Sequence, residues 1–229
     1  MDPQTRLAYL KALGIDVYAR RRSDPADTDP LGDPVEEVGS PLEDLRVAVR
    51  QCQRCSLWET RTQTVFGVGD PKARWMFVGE APGEQEDLRG EPFVGRAGQL
   101  LDEMIYALGL RREAVYIANV LKCRPPKNRD PKPAESEACE GYLQSQVRLI
   151  APEMIIAVGR IAAQWLLKTQ TPIGQLRGRL HRYQGIPLIV TYHPAYLLRS
   201  QTEKRRAWDD LKLALKVQSN PEEFHVPLA

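Results

Sequence analysis

The sequence predicts a three-layer α/β/α domain built on a four-stranded parallel sheet and preceded by an N-terminal extension. Three observations carry that expectation. Short apolar runs alternate with segments of helical periodicity through residues 75–217, the order that builds a parallel sheet with helices on both faces. A long loop rich in glycine and carboxylates follows the first of those runs. Motifs far apart in the chain fall directly after strands, on the carboxyl edge where open α/β sheets bind ligands.

Taken in order, residues 5–19 place Leu7, Leu10 and Leu13 at helical spacing. The SDPADTDPLGDPVEEVG that follows is rich in Asp and Pro and too poor in apolar side chains to order itself, so it reads as a linker. Residues 1–40 thus form an extension of helix plus acidic, proline-rich linker, and residues 41–229 form the main domain. Ser40-Pro41-Leu42-Glu43 supplies an N-cap, a proline at the first helical position and a Glu three residues after the cap, starting a helix that delivers Cys52. Trp75–Val78 is the first strand. A helix follows with Ala97, Leu100, Leu101, Met104, Ile105 and Leu108 at helical spacing, and Gly109 ends it. Val115–Leu121 is the second strand, KCRPPKNRDPKP an irregular loop, and residues 133–150 a helix carrying Cys139. Met154–Val158 is the third strand, Gly159 turns the chain, and Ile161–Leu167 is helical. A turn and hairpin are expected over 170–187, the fourth strand over Leu188–Tyr192, and an amphipathic closing helix over Glu203–Val217.

Between Gly79 and Asp102 the chain reads GEAPGEQEDLRGEPFVGRAGQLLD. About twenty of these residues read as loop, and loops of that length in a compact domain are usually functional. The carboxylates Glu80, Glu84, Glu86, Asp87 and Glu91 lie among Gly79, Gly83, Gly90, Gly95 and Gly98, with Phe93 inside the polar stretch and without periodic partners. Glycines at this density suit a ligand that approaches the backbone closely. Asn119 to Cys123 ends the second strand and His193-Pro194-Ala195 follows the fourth, so all three segments meet at one edge.

The net charge of +2 hides an uneven distribution. Residues 1–40 carry 5 basic against 8 acidic side chains, leaving 27 against 22 in the remainder. Arg160 to Trp208 holds nine Lys or Arg with Glu203 alone opposing them, and Lys122, Arg124, Lys127, Arg129 and Lys132 cluster around Asp130. Such stripes are the footprint of a polyanionic partner. No apolar run reaches the ~18 residues of a bilayer span, and the opening MDPQTRLAYLKALGIDVYARRR does not read as a secretory signal. A soluble, cytoplasmic protein is expected, with no membrane partner.

Cys52 and Cys55 form a C-x2-C pair, Cys123 follows after 67 residues and Cys139 after 15 more. Disulfides are disfavoured in a cytoplasmic protein. A four-cysteine site suits either zinc or an iron-sulfur cluster, and the spacing leaves both open.

Together these segments resemble the family 4 uracil-DNA glycosylases, the iron-sulfur branch of their superfamily. The resemblance rests on Cys52-x2-Cys55, GEAPGEQED at 79–87, PFVGRAGQLL at 92–101, NVLKCRPPKNRDP at 119–131, Cys139 and HPAYLLR at 193–199. It spans about residues 42–217, leaving residues 1–40 outside it. It implies excision of uracil from single- or double-stranded DNA by hydrolysis of the N-glycosidic bond, with a [4Fe-4S] cluster held by Cys52, Cys55, Cys123 and Cys139. Carried over by motif, Gly79, Glu80 and Ala81 line the base pocket, Phe93 stacks on the uracil, Asn119 reads its polar edge, His193 faces uracil O2, and Glu86 crowds the C5 position. Where the best-known branch places a water-orienting aspartate, this chain has Ala81, and Glu80 is the substitute candidate. Tyr196, Leu197 and Leu198 are candidates to wedge into the gap left by a flipped nucleotide. The chain is expected to act as a monomer, associated with the nucleoid when on DNA, with residues 1–40 available to a protein partner. Rival readings are a related glycosylase for another deaminated or mismatched base, and a non-catalytic metal-dependent DNA-binding module, which would need neither the carboxylate-rich loop nor His193.

Overall fold

The computed structural model describes residues 40–220 and 222–224. The chain divides into two units, residues 1–38 and 39–229, and the expected helix over 5–19 and its linker lie outside the described residues. The second unit opens with α1 (Pro41–Arg50), where the Ser40 side chain accepts from the Glu43 amide at 3.3 Å as the capping pattern requires. The strands are β1 (Val68–Gly69), β2 (Trp75–Gly79), β3 (Tyr116–Asn119), β4 (Met154–Val158), β5 (Leu180–Tyr183) and β6 (Ile186–Thr191). The remaining helices are α2 (Glu84–Arg89), α3 (Arg96–Ala107), α4 (Pro133–Ile150), α5 (Arg160–Leu166), α6 (Ile173–Leu176), α7 (Pro194–Arg199) and α8 (Lys204–Ser219).

The sheet runs β1-β3-β2-β4-β6-β5. Its four inner strands are parallel, and β1 and β5 add antiparallel edges. The expected four-stranded parallel sheet is therefore the centre of a six-stranded one. The 170–187 hairpin extends the sheet through β5 instead of standing apart. β1 is two residues long and begins after Gly67, so it carries no alternating pattern to detect. At Gly69, φ is +121° and a Cβ would lie 1.8 Å from the Val115 carbonyl oxygen, so only glycine lets this edge close on the chain entering β3.

Strands β2, β3 and β4 are buried along their whole length, as expected of a sheet covered on both faces. Met76, Val78, Ala118, Ile155, Ala157, Leu188 and Val190 face α4 and α5 through Leu143, Val147, Ala163 and Leu166. The alternate positions Trp75, Phe77, Ile117, Ile156, Val158 and Ile189 face α3 and α8 through Leu101, Ile105, Leu211 and Ala214. Each such side chain contributes about 1.5–3 kcal/mol on full burial, so these two layers are the main source of stability. A smaller third cluster joins Val49, Leu57, Phe66, Leu121 and Tyr142 to Cys123 and Cys139.

One further correction concerns the loop after β2, which contains α2. Gly83 caps the start and Gly90, at φ +79°, caps the end. Its inward residue is Asp87, 2 % exposed, which accepts the Thr62 amide at 3.0 and 3.1 Å, whereas Leu88 points outward. A helix buried through an acid shows no apolar periodicity.

Candidate active site

The carboxyl ends of β2, β3, β4 and β6 open onto a cavity of about 820 Å³ whose walls include Glu80, Phe93, Asn119, Arg160, Tyr192 and His193. Register places Gly79 beside Asn119 across the β2–β3 pair. Beyond the strands, Val120 donates to the Gly79 carbonyl at 2.9 Å and Leu121 to that of Glu80 at 3.0 Å. Segments 79–81 and 119–121 thus form one rigid floor. Ala81 also lines the cavity.

Gly79 stands where two walls meet. A Cβ there would lie 2.4 Å from Asn119 Oδ1 and 2.6 Å from the Phe93 ring. Phe93 holds φ +55°, an uncommon conformation for an aromatic residue. Helix α3 presses against it through Gly98, where a Cβ would fall 1.8 Å from the Phe93 carbonyl oxygen. The ring lies 5.5 Å from that of His193, tilted by 30°. Asn119 is 2 % exposed, and its Oδ1 has no hydrogen-bond partner among the described residues. A buried acceptor left open costs about 1–3 kcal/mol, which a ligand N–H would recover.

His193 caps α7, and its Nδ1 accepts the Ala195 amide at 3.1 Å. The neutral ring therefore carries its proton on Nε2, ready to donate. Burial pushes its pKa down to about 4, with Arg199 also lowering it and Glu86 opposing. Behind it Gly159, at φ +98°, leaves room where a Cβ would sit 3.0 Å from the His193 Cβ. Glu80 moves the other way. Burial, then the charge of Asp130, push its carboxyl up to about 7, while Arg160 pulls it back. Arg160 pairs with Asp130 at 2.8 Å, so a cation, an anion and a carboxyl poised near neutrality share one wall.

Glu86 clamps the loop. Its Oε2 accepts the Gly83 amide at 3.1 Å, and its Oε1 accepts those of Val94 and Gly95 at 3.0 and 3.3 Å. Of the three wedge candidates, Tyr196 is 37 % exposed, its ring 5.0 Å from that of Tyr192 and tilted by 43°, Leu198 is half-buried, and Leu197 is 1 % exposed and packs among core residues.

Cys52, Cys55, Cys123 and Cys139 line one small cavity beside Arg61 and Tyr142. Donors are aimed at the sulfurs: Arg61 Nη1 to Cys123 at 3.1 Å, the Lys122 amide to Cys139 at 3.4 Å and the Arg54 amide to Cys52 at 3.5 Å. Burial pushes the Cys139 thiol up to about 11 and raises Cys123 as well. Among the described residues no group of three His, Cys, Asp or Glu is gathered as a single ion requires.

Arg61 was not singled out from sequence, and Arg160, Asp130 and Lys122 entered only as members of the charged stretches. Arg160 follows Gly159 at the end of β4, on the same edge as the other motifs, and that position was the available signal. Arg61 carries no such mark.

A model of the uracil DNA glycosylase superfamily matches residues 66–212. The chain is 48 % identical over 165 residues to a type-4 uracil-DNA glycosylase of Archaeoglobus fulgidus, covering 69 % of this chain and 83 % of that one. It is 41 % identical over 194 residues to one of Sulfurisphaera tokodaii, covering 81 % and 88 %. With one of Thermotoga maritima it shares 44 % over 167 residues, covering 72 % and 87 %. A six-stranded sheet whose carboxyl edge gathers the glycine-rich loop, Asn119 and His193, together with these matches, assigns the chain to the type-4 family of the uracil-DNA glycosylase superfamily.

Proposed function

We propose that this protein removes uracil from DNA, leaving an abasic site, and that the cavity at the carboxyl edge receives the flipped base. The observation that carries the reading is the open Asn119 Oδ1, buried beside the Phe93 ring at Gly79. A pyrimidine stacked on Phe93 brings its Watson–Crick edge to that amide, and uracil N3–H supplies the missing donor. The C1′–N1 bond breaks with its electron pair passing to the base, which leaves as the uracil anion, and the His193 Nε2–H donates a hydrogen bond to the negative charge growing on O2. A neutral histidine suits this role because it stabilises the anion without depending on prior protonation. Water adds to C1′, and Glu80, near neutrality, takes the proton that water loses. Glu86 stands at the wall next to C5, and Tyr196 with Leu198 fills the vacated stack.

The four cysteines fit a [4Fe-4S] cluster. The donors on sulfur and the adjacent guanidinium suit an anionic cluster, which would supply fixed negative charge and tie α1, α4 and the 119–123 segment together. The same reading has the enzyme act as a monomer in the cytoplasm on single- or double-stranded DNA, with residues 1–40 open to a protein partner. No helix among the described residues is long and apolar enough to cross a membrane.

The deciding experiment is incubation with a labelled oligonucleotide carrying one uracil, followed by alkali cleavage. Strand scission at the uracil and none at a thymine or cytosine control is expected, and an intact strand would refute the proposal. Elemental analysis should find about four irons per chain; zinc without iron would remove the cluster from it.

A further inference from the structure

Lys122 is 1 % exposed, yet among the described residues no carboxylate pairs with it. Its Nζ donates to the Asn119 carbonyl oxygen at 2.7 Å and to Gln146 Oε1 at 2.6 Å. Gln146 is itself fully buried, its amide donating to the Phe66 carbonyl at 2.9 Å and reaching the Tyr116 hydroxyl at 3.3 Å. The main chain of the same residue is held at the cysteine centre: the Lys122 amide donates to Cys139 Sγ at 3.4 Å, and Cys123 is the next residue.

The same side chain reaches the other site. Asn119 ends β3, and its side chain turns on only two torsions, so the direction of its amide follows from how its main chain is held. The Val120 and Leu121 amides bind the Gly79 and Glu80 carbonyls, and the Lys122 ammonium holds the Asn119 carbonyl. We propose that Lys122 is a positioning residue coupling the cysteine centre to the base pocket: the cysteine centre holds its main chain, and its side-chain nitrogen, seated on Gln146, orients Asn119 for reading uracil. This inference rests on the functional reading above and adds to it a line of communication between two sites that share no ligand.

The test compares wild-type protein with Lys122→Met, each with its iron and after iron removal by chelation. The readouts are the affinity for free uracil by calorimetry and the ratio of uracil to mispaired-cytosine excision. Lys122→Met is expected to weaken free uracil by about tenfold, the loss of one hydrogen bond to a charged group, and to lower the excision ratio. Iron removal should produce the same loss in wild type and none beyond it in Lys122→Met, the non-additivity that marks a shared path. Unchanged uracil affinity in the variant, or losses that multiply, would overturn the coupling. Should the variant not fold, hydrogen exchange across residues 116–122 in wild type decides instead: faster exchange after iron removal supports the proposal and unchanged exchange overturns it. A wild-type protein that excises no uracil defeats the functional reading, whereas one that excises it with Lys122→Met unaffected defeats only the coupling.

Discussion

Replacing Glu80 by Gln should lower activity and raise stability together. The native carboxyl has a pKa of about 7 against an ordinary 4.5, mainly through burial and then the charge of Asp130. A carboxyl held above its unfolded value binds its proton more tightly in the native state. Its contribution to stability is therefore full below about pH 4.5, declines as pH rises toward 7, and is lost above that. The difference corresponds to a ceiling of about 3 kcal/mol; with solvent reaching part of the group, a gain of about 1–2 kcal/mol in the glutamine variant at pH 8 is expected. Denaturant titrations at pH 5 and pH 8 measure it, and the gain should shrink at pH 5, where wild type is already protonated. Catalysis should show the opposite dependence. If Glu80 takes the proton from water, the wild-type single-turnover rate falls about tenfold per pH unit below 7. The variant's rate should be low and flat over the same range. A wild-type profile without that slope from pH 5.5 to 7, or a glutamine variant that retains it, would refute the assignment.

His193→Ala should reduce single-turnover excision by ~100-fold or more, the worth of one preorganised donor, while DNA binding in a filter or anisotropy assay stays near wild type; an unchanged rate excludes the residue from the chemistry. Because its pKa lies at about 4, its contribution should not vary between pH 5.5 and 8. Asn119→Asp should lose most uracil excision and acquire measurable release of mispaired cytosine, since a carboxylate accepts from the cytosine amino group and repels uracil O4; retention of wild-type uracil rates would dismiss Asn119 as the reader. Gly79→Ala places a methyl 2.4 Å from Asn119 Oδ1 and 2.6 Å from the Phe93 ring. It should abolish free-uracil binding with only a modest change in unfolding temperature, and normal uracil affinity would show that these walls yield.

The parallel centre of the fold was readable because β2, β3 and β4 are buried on both faces and write themselves as unbroken apolar runs. Helix α4 stands at the expected 133–150, with Pro133 at its first turn. What escaped had no apolar signature. β1 is made by a glycine fitting under a neighbouring backbone, and α2 is anchored by Asp87. Site membership was visible where a motif followed a strand, as with Asn119 and His193. It was invisible where a side chain crosses from a distant segment, as Arg61 does to reach Cys123. Burial was not legible in HPAYLLR either: Tyr196, Leu197 and Leu198 are neighbours of similar type, and the helix turns Leu197 alone into the core.

The Glu86 carboxylate joins the start of α2 to the start of α3 by accepting amides from Gly83, Val94 and Gly95. Phe93 immediately precedes two of those amides, so one side chain sets both the outline of the loop and the pose of the Phe93 ring. On the proposed reading, position 86 is therefore a poor dial for substrate range. Trimming it to admit a C5 substituent would also unfasten the ring proposed to carry the base, so a broadened variant has to begin with a replacement fastener for residues 93–95 and only then open the wall.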